Sequence, residues 1–368
     1  MCVLDLAMSA SSAAPASKRA KTDDDTKGMM KTLIDRLVAR ENLSAADVSR
    51  ATEAIAAGRV DPTQISAFLV LLRAKGETSE EVSALVTVMR AHMNHVECTD
   101  RPVLDIVGTG GDGHHTVNFS TAAAVLAAAC GARVAKHGNR SVSSRSGSAD
   151  VLEALGVVML DPDKIAPCID QAGIAFMFAP KFHPAMKWVA PVRRAVGVRT
   201  VFNILGPLLN PAGAKRMMLG VYSPDLLELY GNTVHALGAE HALIVHCCGL
   251  DELAPLGVAD AVEVTPEGGV QRIKIDCTVG MGLNQCTIPD LAGGSCDDNA
   301  SILRGVFAGG SGASGPVADT IALNAGAGLY VMGMASSIKE GLDKAREVLK
   351  SGECLQTLEK WAKTTQAL

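Results

Sequence analysis

Val103-Leu104-Asp105-Ile106-Val107-Gly108-Thr109-Gly110-Gly111-Asp112-Gly113 opens the stretch that decides the fold, and that stretch runs on to Asp150. The apolar run Val103–Val107 reads as a buried strand. Gly108, Gly110, Gly111 and Gly113 then form a loop. Asn118-Phe119-Ser120-Thr121 and the alanine run Ala122–Ala129 follow, and read as a helix entered through a Ser/Thr cap. A strand, a glycine loop and a helix N-terminus together make an anion site. The loop lets backbone N–H groups approach an oxyanion, and the helix end adds its positive dipole.

Gly108, Gly110 and Gly113 match G-x-G-x-x-G, so a dinucleotide site is tested first. It needs an acidic residue about 20 positions further on to hold a ribose hydroxyl. No Asp or Glu occurs between His114 and Ala149. That segment carries instead Arg133, Lys136, Arg140 and Arg145, with His114, His115 and His137. An acid-free basic segment beside a glycine loop points to a ligand with several phosphates rather than to NAD. A tight turn before a small-residue core helix is the plainer alternative.

With 368 residues the chain is long enough for two domains. Hydrophobic residues make up 48% and aromatics only 3%, so Ala, Val, Leu and Ile must build the core, as in α/β packing. A net charge of −5 argues against broad nucleic-acid or membrane-surface binding. The ten cysteines include no C-x-x-C and one close pair, Cys247-Cys248, which suits reduced intracellular thiols better than a disulfide scaffold or zinc site. No apolar run reaches the roughly 18 residues of a membrane helix.

Residues 1–28 read as a disordered tail, rich in Ala, Ser and charge. Lys18-Arg19-Ala20-Lys21 has the form of a nuclear signal, and Ser9–Ser17 of a transit peptide, against which Asp23-Asp24-Asp25 speaks. The expected location is intracellular: cytoplasm, or plastid if the tail is a transit peptide. Residues 29–98 read as a domain of four short helices. Their signals are Leu33, Ile34, Leu37 and Val38 on one face, a cap at Ser44, the pair Asp61-Pro62, and the capping box Thr78/Glu81. Residues 99–368 alternate strands and helices. Expected strands are Val103–Val107, Arg133–Lys136, Ile174–Phe178, Met217–Val221, Ala242–His246, Ala261–Val264 and Val270–Ile275. The fold class is therefore α/β, a small N-terminal helical domain beside a larger domain with a mostly parallel central sheet.

Four stretches besides the glycine loop can carry chemistry. Lys136-His137-Gly138-Asn139-Arg140 follows a strand, where α/β proteins place ligands; Lys136 suits a phosphate and Asn139 a small polar substrate. Ser143-Ser144 and Ser148 place hydroxyls before a helix, although Ser148 also fits a plain N-cap. In His183–Pro207, Arg193 and Arg194 offer a planar partner for a carboxylate, and two adjacent helical arginines cannot both face one site. Asp251-Glu252 supplies hard oxygen ligands for Mg²⁺, which commonly bridges carboxylates to substrate phosphates.

These motifs, in order, closely resemble the anthranilate phosphoribosyltransferase family: Gly108–Gly113, Asn118–Thr121, Lys136–Ser144, Gly147–Val157, His183–Arg194, Arg199–Ala212 and Gly249–Glu252. The resemblance runs from about residue 29 to the C-terminus. It implies a phosphoribosyl transfer from phosphoribosyl pyrophosphate to anthranilate, with Mg²⁺ as cofactor, and a fold of the nucleoside phosphorylase/phosphoribosyltransferase type. It assigns Gly108, Gly111, Asp112, Thr116, Asn118, Ser120, Thr121, Lys136, Ser144 and Ser148 to the donor. Gly108, Asn139 and Arg194 fall to anthranilate, and Ser120, Asp251 and Glu252 to the metal. No general acid or base is implied. The family's members pair as homodimers through the helical domain; neither nucleic acid nor membrane is an expected partner. The shortened segment His246-Cys247-Cys248-Gly249 resembles that of eukaryotic members. The rival readings are a pyrimidine nucleoside phosphorylase-like enzyme, which uses free phosphate, and a non-catalytic nucleic-acid-binding relative, which would have a basic surface and no acidic pair.

Overall fold

Seven strands form a single sheet in the order β3-β2-β1-β4-β5-β6-β7 in a computed structural model, which describes residues 16–98, 101–141 and 145–368, with side chains from residue 25. The strands are β1 (Leu104–Gly108), β2 (Val134–Gly138), β3 (Ile174–Phe178), β4 (Arg216–Gly220), β5 (His241–His246), β6 (Val258–Thr265) and β7 (Gly269–Asp276). The first five run parallel, and β6 and β7 close one edge antiparallel. All seven expected strands are present. In each of β1 to β3 the first four residues are buried, including Asp105, Lys136 and His137, because both faces of the sheet are covered by helices.

Chain order explains the site's position. From β1 the chain winds outward through β2 and β3, then returns to β4 on the other side of β1 and winds outward again. Neighbouring connections leave β1 and β4 in opposite directions, which opens a crevice at their carboxyl ends. Gly108 and Gly220 are register partners at that end.

The helical domain consists of α1 (Ala16–Val38), α2 (Ala45–Ala56), α3 (Pro62–Lys75) and α4 (Ser79–Ala91). Its caps follow the sequence signals. Ser44 accepts from the Asp47 N–H, Asp61 from the Thr63 N–H, and Thr78 and Glu81 cap each other's amides. Here α1 begins at Ala16, within the segment expected to be disordered. Ala, Lys and Arg are strong helix formers, and low hydrophobicity alone does not register that propensity. Residues 1–15 lie outside the described residues. The domain docks on the segment after β3: Trp188 lies flat against Gly58, the Arg90 guanidinium donates twice to the Leu208 carbonyl, and the Asn94 N–H donates to the Phe182 carbonyl.

Around the sheet stand α5 (Phe119–Ala129), α6 (Ser148–Ala154), α7 (Pro162–Ala172), α8 (Ala179–Phe182), α9 (Met186–Val196) and α10 (Leu226–Ala236). They are completed by α11 (Cys296–Phe307), α12 (Pro316–Val331), α13 (Ile338–Ser351) and α14 (Glu353–Ala367). Helix α11 packs against α6, and α14 against α5 and α7. Both are amphipathic, and α14 inserts the fully buried Trp361. Among the described residues no helix is long and apolar enough to cross a membrane.

Glu81 does more than cap α4. Its buried carboxylate accepts from the Leu43 N–H at 2.8 Å and from Lys75 Nζ at 2.9 Å. Glu81→Ala strips the Leu43 and Thr78 N–H groups of this acceptor and leaves the Lys75 ammonium with only neutral partners, Asn42 Oδ1 and the Gly76 carbonyl, and should cost about 3 kcal/mol, the usual loss when one partner of a buried pair is removed. Urea unfolding reads this directly. A loss under about 1 kcal/mol would place the pair with ordinary surface ion pairs.

Candidate active site

Asp251 hangs over the crevice between β1 and β4. A Cβ on Gly108 would lie 2.4 Å from its Oδ2, and a Cβ on Gly220 only 1.6 Å from its carbonyl oxygen. Both strands therefore end in glycine so that the Gly249–Glu252 loop can sit directly on them. Asn324 holds the far side of that loop through the Leu253 N–H and carbonyl.

The glycine loop and helix α5 meet the acidic pair head-on. The Gly110 N–H donates to Asp251 Oδ2 at 2.6 Å, and the Ser120 N–H, in the first turn of α5, donates to Glu252 Oε1 at 3.1 Å. Asp112 lies within hydrogen-bonding reach of Asp251. Both acids are almost buried, at 7% and 8% exposure. Burial, and then Asp112, pushes Asp251 up to about 7. Burial, and then Asp251, pushes Glu252 well above the usual carboxylate range. Three carboxyl groups thus crowd one another where loop amides and a helix N-terminus are also gathered.

Their counter-charge is Lys136. It was expected to reach out to a phosphate. It is instead 1% exposed within β2, donating to the Ile106 carbonyl at 2.6 Å. Burial lowers its pKa, while Asp105, Glu252 and Asp251 work to keep it charged. Asp105 was passed over in the strand Val103–Val107. Burial pushes its carboxyl up to about 6. It accepts from Asn210 Nδ2 at 2.6 Å and from the His137 N–H at 3.2 Å. The signal in the sequence was an acid in the centre of an apolar run.

Several expectations change here. The helix cap is Asn118, not a Ser/Thr, and its side chain makes no cap bond. Asn118 joins segments instead, donating to the Ser146 carbonyl and accepting from Asn299 Nδ2 at 2.9 Å. This leaves Ser120 and Thr121 inside the first turn. Thr121 Oγ1 donates to Ser148 Oγ at 3.0 Å, and Gly147 rather than Ser148 caps α6. Thr116 is pinned through its backbone to Ala292. Ser143 and Ser144 lie outside the described residues. The acid-free basic segment is not unpaired in space: Arg133 meets Asp170, and Arg140 meets Asp150 and Glu153. Those acids come from α6 and α7, which follow the acid-free segment in the chain.

Next to this cluster the loop after β2 meets the segment after β3. Asn139 is exposed, its Oδ1 accepting from the Arg140 N–H. His137 and His183 form a buried edge-to-face pair with ring nitrogens 3.1 Å apart; burial pushes His137 down to about 3 and His183 to about 4, so both are neutral. The two adjacent arginines of α9 have different surroundings, which bears on the expectation of Arg194 as the carboxylate partner. Arg194 is exposed, whereas Arg193 is half-buried with its guanidinium over the Phe202 ring. Burial pulls the Arg193 pKa down, and it has no acidic partner among the described residues. A desolvated cation without a counter-ion is the better receptor for a ligand carboxylate.

The donor set fits Mg²⁺. Among the described residues no group of three or more His, Cys, Asp or Glu forms a ready-made metal cage. Mg²⁺ takes few protein carboxylates and completes its shell with water and phosphate. Two buried acids bonded to the amides that would receive phosphate need a divalent cation if a polyanion is to enter beside them.

The glycosyl transferase family α/β domain matches residues 100–355, and the helical bundle domain of the same family matches residues 31–93. The chain is 43% identical over 92% of its length to the anthranilate phosphoribosyltransferase of Acetivibrio thermocellus, covering 97% of that protein. It is 44% identical, over 92% of its length and 98% of the relative, to that of Thermomicrobium roseum. The crystal structure of the Thermus thermophilus enzyme superposes with a TM-score of 0.85 at 43% identity, over 91% of this chain and 99% of that one. The Saccharomyces cerevisiae enzyme in complex with PRPP and Mg superposes with a TM-score of 0.84 at 28% identity, over 93% and 99%.

Two outcomes check this geometry. Gly108→Ala should displace the Asp251 loop and abolish activity in a folded protein, because a methyl group cannot share space with the carboxylate. Retained turnover would show that the loop can retreat. In metal-free protein Asp251 keeps its proton in the folded state from its ordinary 3.8 up to about 7, where the unfolded chain has lost it. The folded state binds the extra proton, so this group's contribution to stability falls as pH rises through that window. Asp251→Asn should therefore flatten the decline in urea midpoint between pH 5 and 8. A decline equal to wild type would mean Asp251 titrates normally.

Proposed function

We infer the activity from one premise: the chain belongs to the anthranilate phosphoribosyltransferase family, within the glycosyl transferases. It transfers the phosphoribosyl group of 5-phosphoribosyl 1-pyrophosphate to the amine of anthranilate, in tryptophan biosynthesis. The observation that carries this reading is the meeting of the glycine loop, the α5 N-terminus and Asp251-Glu252 over the β1/β4 crevice. A phosphorylase using free phosphate has no need of that acidic pair, and a nucleic-acid binder has no use for it.

In the transfer, the amine nitrogen forms a bond to the ribose anomeric carbon while the bond to pyrophosphate breaks. The departing diphosphate takes the electron pair, and the amine proton passes to solvent. Anthranilate's aromatic amine is uncharged at neutral pH, so positioning governs the rate more than a general base does. Gly108, Gly111, Asp112, Thr116, Asn118, Ser120, Thr121 and Ser148 line the donor side by virtue of the loop and the two helix starts. Asp251, Glu252 and Ser120 would hold Mg²⁺, which would offset the charge gathering on the leaving diphosphate. Lys136 acts from behind, keeping the acidic pair ionised once the cation is present. Asn139 and Arg193 face the acceptor, with Arg193 gripping its carboxylate. The mass of the helical domain lies against this acceptor side through Trp188 and Gly58, and the domain's outer face supplies the homodimer contact that family members use.

Loss of anthranilate fluorescence on adding phosphoribosyl pyrophosphate and Mg²⁺ tests the activity, and an unchanged signal over hours sinks it. Arg193→Ala should raise the anthranilate KM about tenfold or more, the effect of losing a charge-assisted pair, with the donor KM little changed. Arg194→Ala should stay near wild type. The reverse pattern would return the role to Arg194.

A further inference from the structure

Arg199 sits in the short segment between α9 and the turn Val201–Asn203, with its side chain across the glycine loop. Its Nη2 donates to the Gly111 carbonyl at 2.5 Å. Its guanidinium carbon lies over the Tyr222 ring, 4.3 Å from the centre, so the cation is held by the ring face as well as by the hydrogen bond. Arg199 has no acidic partner among the described residues. A cation lacking a counter-ion is thus parked on the main chain of a loop 88 residues away.

Each loop position has a different anchor. The Thr109 N–H donates to the Gly220 carbonyl, and Thr109 Oγ1 accepts from the Tyr222 N–H at 3.1 Å. The Gly110 N–H is held by Asp251. The Asp112 carboxylate accepts from the His114 N–H at 3.1 Å. At Gly111 the only anchor among the described residues is Arg199. Gly111 has φ +80, and Gly110 and Gly113 are also at positive φ, so this backbone has little intrinsic preference to hold it. A trans peptide places its C=O and the next N–H on opposite sides. Fixing the Gly111 carbonyl against Arg199 therefore turns the Asp112 N–H to the other side of the loop. It also sets where the Asp112 carboxyl stands beside Asp251.

We propose that Arg199, held over the Tyr222 ring, is the positioning residue of the phosphate loop: it clamps the Gly111 carbonyl and so orients the Gly111–Asp112 peptide for the phosphoribosyl donor. The inference rests on the transferase reading above. Tyr222 acts in the same device, as the platform that holds the guanidinium against the loop. The acceptor side is untouched, because Asn139 and Arg193 belong to other segments.

The test measures donor and acceptor kinetics separately, together with calorimetric binding of phosphoribosyl pyrophosphate in Mg²⁺. Arg199→Ala and Tyr222→Ala should each weaken donor binding and raise the donor KM by about tenfold, the usual effect of losing one charge-assisted hydrogen bond. The anthranilate KM and the melting temperature should stay near wild type. Arg199→Lys keeps the charge but loses the planar guanidinium and should recover only part of the donor affinity. Donor binding unchanged in Arg199→Ala overturns the proposal, as does an equal rise in both KM values. Full recovery by lysine, or a silent Tyr222→Ala, also overturns it, by reducing Arg199 to a point charge. Wild-type protein that leaves anthranilate unconsumed refutes the transferase reading instead, and this clamp with it. Active wild type with unaffected variants refutes the clamp alone.

Discussion

Asp251 rests on the ends of β1 and β4 with its carbonyl where a side chain on Gly220 would stand and its carboxylate where one on Gly108 would stand. Most of the site follows from that close approach. It brings the 249–252 loop down onto the glycine loop, lets the Gly110 N–H reach Asp251, and puts Glu252 at the N-terminus of α5. Any β-carbon at either strand end would lift the acids away from the amides and separate the two halves of the site.

The arrangement is electrostatically costly without its ligands. Asp112, Asp251 and Glu252 crowd together with little water, and only the α5 end, the loop amides and the buried Lys136 oppose them. Lys136 is balanced in turn by Asp105, which is held by Asn210 and by the His137 N–H. One chain of charge therefore runs from the centre of β1 to the mouth of the crevice. A divalent cation with a diphosphate would complete it with alternating sign.

Much of the framework was legible in the residues. The buried parallel strands β3, β4 and β5 were visible as apolar runs, and the antiparallel edge strand β7 as an alternation of polar and apolar residues. The caps at Ser44, Asp61 and Thr78 were visible because capping is local chemistry. The start of α1 falls in the segment expected to be disordered, because low hydrophobicity there hides a sequence of good helix formers. In the site, the glycine loop and Asp251-Glu252 were legible as separate features, whereas the burial of Lys136 and the contact of Ser148 with Thr121 were not. Each of those depends on which neighbour the fold delivers.

The sequence by itself determined the kinds of element, the two-domain division and the family, since these rest on short-range pattern and on motifs that keep their order. Only the tertiary structure decided which charges are free. Arg133 and Arg140 looked available in an acid-free window and are neutralised by acids from other helices. Arg193 and Arg194 are neighbours in the chain, and burial against Phe202 separates their surroundings. Arg199 shows no motif that links it to Gly111, although it lies on that residue's carbonyl. Pairing and desolvation are properties of contacts between distant segments, and no local reading of a chain contains them.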